Sequence, residues 1–268
     1  MQSRLPASQK ILFLSDIHLG AFSDQTNSEL ENELINLLNF AEKNRFQVAV
    51  LGDLFDYWIE YHGFIPSLGK KLLQRFERFN TKQNSSLYIT GNHDNWTLGH
   101  FRECGFDVEP DYHILHINKQ KVLLLHGDAI GNDVEHLKRP PFHQLLRNRT
   151  FLKIYRSLLP PNMGLWLMKE VSKWSSRLER TPDDISVLNK WTKHILEQSD
   201  FDYILCGHDH VPRCLEYSFG TYLNLGTFCS HKSMVMYNKR QFKLVCWNSN
   251  NQQLIPLKSQ ETENEQLG

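Results

Sequence analysis

Residues 48–58 read VAVLGDLFDYW: four apolar residues, two of them β-branched, run without a spacer into a Gly-Asp pair. A run this short cannot make a helix of ordinary length, and its Val48 and Val50 favour a buried strand. The same arrangement recurs four times. ILFL (11–14) enters SDIHLG, LYIT (87–90) enters GNHDNW, VLLL (122–125) enters HGDAIG, and YILC (203–206) enters GHDH. In open α/β sheets, ligand groups sit in loops beyond the C-terminal ends of strands. Five strands that each deliver Gly, Asp, His or Asn at that position therefore point to one shared site.

The segments between them set the fold class. Leu30, Leu34, Leu37, Leu38 and Ala41 recur at helical spacing, with Ser28 as the expected N-cap. A second amphipathic helix is expected around 68–79. Short strands are expected at 213–219, 221–227, 232–238 and 241–247, and the polar tail from Ser249 is expected to fray. Early strand–helix alternation followed by a run of strands predicts an α/β chain with two sheets packed between helices.

Composition narrows the function classes. The 268 residues are 40% hydrophobic and 22% charged, ordinary for one large domain with a substantial core. No run of about 18 apolar residues suggests a membrane span, and the N-terminal apolar patch is too short for a signal peptide. Cys104, Cys206, Cys214, Cys229 and Cys246 are scattered and odd in number, which suits reduced core residues rather than a disulfide framework. Net charge is zero, but residues 136–180 carry ten Lys/Arg against two Glu, so that block holds +8 and the remainder −8.

A lone Asp or His at a strand end is usually a turn residue. The set is different: Asp16 and His18, Asp53, Asn92 and His93, His126, His208 and His210. In an extended chain residues i and i+2 point the same way, so Asp16 with His18, and His208 with His210, are expected to aim into one cleft. Imidazole nitrogens with carboxylate and amide oxygens suit Mn, Fe, Zn or Ni. No thiolate joins them, which argues against a structural zinc cage. Seven or eight such ligands exceed one tetrahedral ion, whereas two ions sharing a carboxylate would use them all.

Taken in order, D-x-H, G-D, G-N-H-D, H and G-H-x-H resemble the calcineurin-like metallophosphoesterase superfamily over about residues 10–228. The resemblance implies a four-layer α/β/β/α sandwich and two divalent ions, manganese first, with iron or zinc as substitutes. Asp16, His18 and His210 would hold the first ion, Asn92, His126 and His208 the second, and Asp53 would bridge them. His93 would serve the leaving oxygen, with Asp94 orienting its ring. The surrounding words SDIHLG, GDLFDYW, GNHDNWTLG and HGDAIG resemble the UDP-2,3-diacylglucosamine pyrophosphatase branch of lipid A biosynthesis. Many members of that branch carry Arg at the position of His93, and some bacterial homologues keep His.

The basic block lies in the long segment between HGD and GHDH. Cations alternate there with Phe142, Leu145, Phe151, Leu152, Ile154, Tyr155, Leu158, Trp166 and Met168, and Pro160-Pro161 divides two helical halves. We expect residues 1–248 to form one domain, with 134–200 a helical insertion capping the active site and 249–268 a disordered tail. Apolar faces of the cap could hold acyl chains or rest on an anionic bilayer. By resemblance, Ser172, Lys173, Ser176, Arg177 and Asp133 would contact substrate. The expected protein is a hydrolase acting on a nucleotide-sugar lipid, cytoplasmic and peripheral on the inner face of the inner membrane, with no nucleic-acid partner. A soluble phosphodiesterase or nucleotidase on the same centre is the alternative. A non-catalytic scaffold is the remote one, since it would be expected to lack ligands and none is missing.

Overall fold

The computed structural model describes residues 3–4, 10–176 and 182–257. In chain order its strands are β1 (Ser3–Arg4), β2 (Lys10–Leu14), β3 (Phe46–Leu51), β4 (Leu87–Ile89), β5 (Asp107–Glu109), β6 (Tyr112–Ile117), β7 (Gln120–Leu125), β8 (Ile130–Gly131), β9 (Leu137–Lys138), β10 (Tyr203–Cys206), β11 (Arg213–Tyr217), β12 (Gly220–Asn224), β13 (Ser233–Asn238), β14 (Gln241–Asn248) and β15 (Gln253–Pro256). The helices are α1 (Asp24–Lys43), α2 (Lys70–Lys82), α3 (His100–Glu103), α4 (Pro141–Leu146), α5 (Arg149–Leu158), α6 (Pro161–Ser176), α7 (Pro182–Gln198) and α8 (Phe228–His231).

Two mixed sheets carry the site. One runs β15-β14-β13-β2-β3-β4-β5, the other β1-β6-β7-β10-β12-β11. Within them β2, β3 and β4 are mutually parallel, as are β7, β10 and β12. Each parallel set therefore ends at one edge of its sheet.

Alternation along the strands produces the layers. Leu12, Leu14, Val48 and Val50 pack with Leu30, Leu34, Leu37 and Leu38 of α1 on one outer face. Their neighbours Ile11, Phe13, Ala49 and Leu51 turn inward against Leu115, Val122, Leu124 and Leu205 of the other sheet. Leu123, Leu125 and Ile204 face outward again, under Leu188, Trp191 and Ile195 of α7. Period-two side chains on facing sheets give this α/β/β/α order, with the central strands β2, β3, β7 and β10 apolar on both faces because both faces are covered.

Three local expectations are corrected. Helix α1 starts earlier than its apolar stripe, because Ser23 is the N-cap and accepts from Thr26 N, leaving an exposed first turn with no apolar signal. The tail does not fray from Ser249, since β15 pairs antiparallel with β14 and Leu254 packs on the core. The 134–200 segment is not all cap. Its last helix, α7, is an outer layer of the sandwich, and only α4, α5 and α6 lie over the loops. Those helices bring Leu152 and Met168 against Tyr57, Ile59, Tyr61 and Trp96. Trp96 meets the Tyr155 ring at 4.8 Å between centroids, and its indole N–H donates to the Leu146 carbonyl. Pro160-Pro161 divides α5 from α6 as expected.

Candidate active site

The strand-end loops converge, but not in extended conformation. Asp16, His18, Asp53, His208 and His210 all adopt positive φ, between 51° and 72°. The expected i, i+2 alternation is therefore wrong as a mechanism, because left-handed kinks aim these side chains. Such conformations are unfavourable for non-glycine residues, by about 1–3 kcal/mol each, and persist only where the surroundings over-determine them. Here the surroundings are backbone bonds across the cleft: Ile17 N and His18 N donate to the Asp53 carbonyl at 2.9 and 3.0 Å, and Gly207 N donates to His126 O at 3.0 Å.

Each carboxylate is divided in its duties. Asp16 Oδ2 accepts from the Ser15 hydroxyl at 2.6 Å and from His208 N at 2.8 Å, while Oδ1 faces His210 Nε2 at 3.1 Å and His18 Nε2 at 3.7 Å. Asp53 Oδ1 accepts from His93 N at 3.0 Å, while Oδ2 faces His126 Nε2 at 3.2 Å and His18 Nε2 at 3.9 Å. Two glycines make room. A Cβ on Gly91 would stand 2.0 Å from Asp53 Oδ1, and one on Gly207 would stand 2.1 Å from Asp16 Oδ2.

The donor set tests whether cations fit. His126 Nδ1 donates to the Leu51 carbonyl at 2.9 Å, so in the neutral ring Nε2 is a lone pair. It faces Asn92 Oδ1 at 3.1 Å and Asp53 Oδ2 at 3.2 Å, so three acceptors meet with no hydrogen among them. His18 repeats the pattern. Its Nδ1 lies 3.3 Å from Asp56 Oδ1, leaving Nε2 3.0 Å from His210 Nε2 beside Asp16 Oδ1. Asp16 Oδ1 and Asp53 Oδ2 are buried and have no hydrogen-bond partner among the described residues. Acceptors converging this closely need protons or cations between them, and about 3.0 Å is the ligand–ligand edge of an octahedron with bonds of about 2.1 Å. The residues present fit divalent ions, Asp53 standing between the two half-sites.

The electrostatics mark the same concentration of negative charge, which draws protons as it would draw cations. Burial alone would raise the Asp53 carboxyl, but the His126, His93 and His18 rings hold it well below the usual carboxylate range. Burial would lower His126, yet the Asp53 carboxylate pushes its imidazole up to about 9.

Several side chains take places other than those expected. Asp94 does not orient His93. It is fully buried and accepts from Leu54 N, Gly91 N and the Tyr88 hydroxyl at 2.7–2.8 Å, which fixes the shape of the GNHD loop. His93 is instead held through Nδ1, which donates to the Asp56 carbonyl at 2.7 Å. The Ser172 hydroxyl of α6 lies 3.3 Å from that same nitrogen and donates to Asp56 Oδ2 at 2.6 Å. Ser172 thus joins the site. Asp133 and Lys173 are exposed and pair locally, with His136 at 2.9 Å and Glu170 at 2.7 Å. Ser176 ends α6, its side chain outside what the structure describes, and Arg177 lies outside the described residues.

Asp56 and Asp128 are the functional carboxylates that sequence reasoning passed over. Asp56, three residues after Asp53, fixes the ring nitrogen that His18 presents. Asp128, two after His126, accepts from Arg139 Nε at 2.9 Å and Arg147 Nη2 at 3.2 Å. Each stands in a motif already singled out, so proximity to a ligand in sequence was the available signal.

A two-sheet α/β/β/α sandwich with paired carboxylate–imidazole half-sites at its strand ends defines a phosphoesterase class, and the family model for calcineurin-like phosphoesterases matches residues 9–212. The chain belongs to that family, and it is a hydrolase for which the family implies divalent metal ions. Among proteins of known name, it is similar to the UDP-2,3-diacylglucosamine hydrolases of Wigglesworthia glossinidia brevipalpis (28% identical over 211 residues, 75% of this chain and 79% of that one) and Histophilus somni strain 129Pt (24% over 209 residues, 75% and 84%). Among solved structures, the E. coli phosphoesterase Yfce aligns with a TM-score of 0.47 at 17% identity, covering 92% of this chain and 97% of that one.

Proposed function

We propose that the protein hydrolyses the pyrophosphate of UDP-2,3-diacylglucosamine, releasing 2,3-diacylglucosamine 1-phosphate and UMP, with manganese as the preferred ion. The observation that carries this reading is the basic, apolar cap tied to the catalytic loops through Ser172 and Asp56. A general phosphodiesterase needs the strand-end residues, whereas a lipid substrate also needs an apolar cover beside the reacting phosphates.

When bound, two divalent ions would supply polarisation of the phosphoryl oxygens and activation of the attacking water. Asp16, His18 and His210 would hold one, Asn92, His126 and His208 the other, and Asp53 both. Asp56 keeps the His18 proton on Nδ1. The Asp56 carbonyl likewise keeps a proton on His93 Nδ1, so Nε2 is the nitrogen left for the leaving oxygen, and it delivers a proton there from the imidazolium form, in which both ring nitrogens carry one. Ser172 holds the cap helix over this pair.

Peripheral contact with an anionic bilayer is part of the proposal. No helix among the described residues is long and apolar enough to cross a membrane. Leu158 and Trp166, at the cap surface, are 74% and 62% exposed, which supports surface contact. The test is a substrate panel with manganese-loaded protein in detergent. UMP release from UDP-2,3-diacylglucosamine is expected. Turnover of simple phosphodiesters or nucleotides with that lipid left intact would replace this reading with a soluble phosphodiesterase.

A further inference from the structure

A second basic cavity lies between α5 and the loops beyond β4. It encloses about 1120 Å³ and includes none of the metal-ligating strand-end residues. Six cations line it, Arg102, Arg139, Arg147, Arg149, Lys153 and Arg156, against one carboxylate, Asp111.

Two of the six are committed to structure. Arg139 pairs with Asp111 and Asp128, and Arg147 donates to the carbonyls of Thr90, Gly91 and Pro110 as well as to Asp128. The others form no ion pair among the described residues. Arg102 and Arg156 each reach one backbone carbonyl, Val108 and Trp96, at 3.1 Å. No carboxylate pairs with Arg149, Lys153 or Arg156 among the described residues. These three succeed one another at spacings of four and three on α5, so they share one helix face, and like charges so placed repel. Nothing on α5 offsets that cost, since its sequence RTFLKIYRSL has no acid. Arg147 Nε and Arg156 Nε are moreover buried donors with no hydrogen-bond partner among the described residues. A cavity of this size with convergent unpaired cations and unsatisfied donors has the features of a ligand site rather than of a solvated face.

We propose that this basin binds a phosphate group carried on an organic body, separate from the phosphate being cleaved. The charge calls for a phosphate, which guanidinium groups bind by paired charge-assisted hydrogen bonds. The apolar wall formed by Leu98, Val108 and Leu152 calls for the organic part. The basin and the metal centre share the loop 90–97. Asn92 and His93 face the centre, while Thr90, Asn95 and Thr97 line the basin. Such a phosphate could come from a lipid headgroup or from a soluble ester.

The test titrates phenylphosphonate, a stable organic phosphate mimic, into the manganese-loaded full chain by calorimetry. Two binding events are expected, one at each site. Arg149→Gln/Lys153→Gln should weaken one event at least about tenfold and leave the other, with unchanged manganese content and circular dichroism. Ser157→Glu, which adds a carboxylate to the same wall, should do likewise and covers a double variant that misfolds. A single event in the wild type, or two unaltered events in both variants, overturns the proposal. Sedimentation with phosphatidylcholine vesicles, with and without phosphatidylglycerol, separates the sources. Loss of phosphatidylglycerol-dependent binding in the variants identifies a headgroup, and unchanged vesicle binding identifies a soluble ester. The readout is binding, so it stands or falls apart from the substrate reading.

Discussion

Ser172 Oγ stands 2.6 Å from Asp56 Oδ2, and the other oxygen of that carboxylate stands 3.3 Å from His18 Nδ1. One side chain therefore joins the cap helix α6 to a candidate metal half-site. Ser172→Ala removes a hydrogen bond to a charged acceptor, a loss of about 1.5–3 kcal/mol if none replaces it. We expect kcat on the proposed lipid substrate to fall about tenfold or more, with metal content retained. Unchanged kcat would show that the cap does not act through Asp56.

His93→Ala should slow turnover by about 10²–10⁴, the usual contribution of a positioned acid. Metal content should stay at the wild-type level, because the ring is tied to the Asp56 carbonyl and not needed as a ligand. Asp53→Ala should remove both metal and activity. Inductively coupled plasma mass spectrometry separates the two variants, and metal loss in His93→Ala would overturn the role given to that ring.

Gly91→Ala tests the close approach behind Asp53. The added methyl would stand 2.0 Å from Asp53 Oδ1, so the carboxylate has to rotate or the loop has to open. Wild-type secondary structure with metal affinity reduced by at least about tenfold, some 1.4 kcal/mol, is the expected result. A variant that binds metal normally would show the loop to be softer than its packing implies.

Trp96 is the bolt between core and cap. Trp96→Ala should lower stability by about 3–5 kcal/mol, the usual cost of emptying a buried aromatic site. Limited proteolysis should then cut within residues 141–176 before it cuts the sandwich. Cleavage patterns identical to wild type would deny the cap its dependence on that ring.

His113 gives a pH dependence remote from the centre. Burial lowers its pKa in the fold, although Glu109 and Asp107 act to raise it. Below about 6.5 the unfolded chain takes up a proton that the folded chain resists, so stability is lost as pH falls through that value. Thermal melts should show His113→Leu losing less stability than wild type between neutral and mildly acidic pH. Parallel losses would refute this.

Much of the architecture was legible because five strands end in chemistry. Apolar runs such as VAVL and VLLL are short, and each leads straight into a ligand, so periodicity and motif reinforced one another. What escaped was set by tertiary contact. Asp94 is next to His93 in sequence, yet Tyr88 and two backbone amides claim its oxygens. Asp56 sits between apolar neighbours in DLFDYW, and only the fold brings it against His18. The left-handed φ values at Asp16 and His18 likewise go with backbone bonds across the cleft to Gly52 and Asp53, which no local pattern announces. Helix α7 falls in the 134–200 stretch between HGD and GHDH, and only its Leu188, Trp191 and Ile195 against the second sheet separate it from the cap helices.

The proposed ligand residues are divided between the two sheets. Asp16, His18, Asp53 and Asn92 come after β2, β3 and β4, while His126, His208 and His210 come after β7 and β10. Cations shared across that seam would act as a buckle for the sandwich, drawing its halves together at one end. Free metal at a hundredfold excess over its dissociation constant would then add about 2.7 kcal/mol of stability per site. Starving the protein of metal would thus loosen its architecture as well as silence its chemistry.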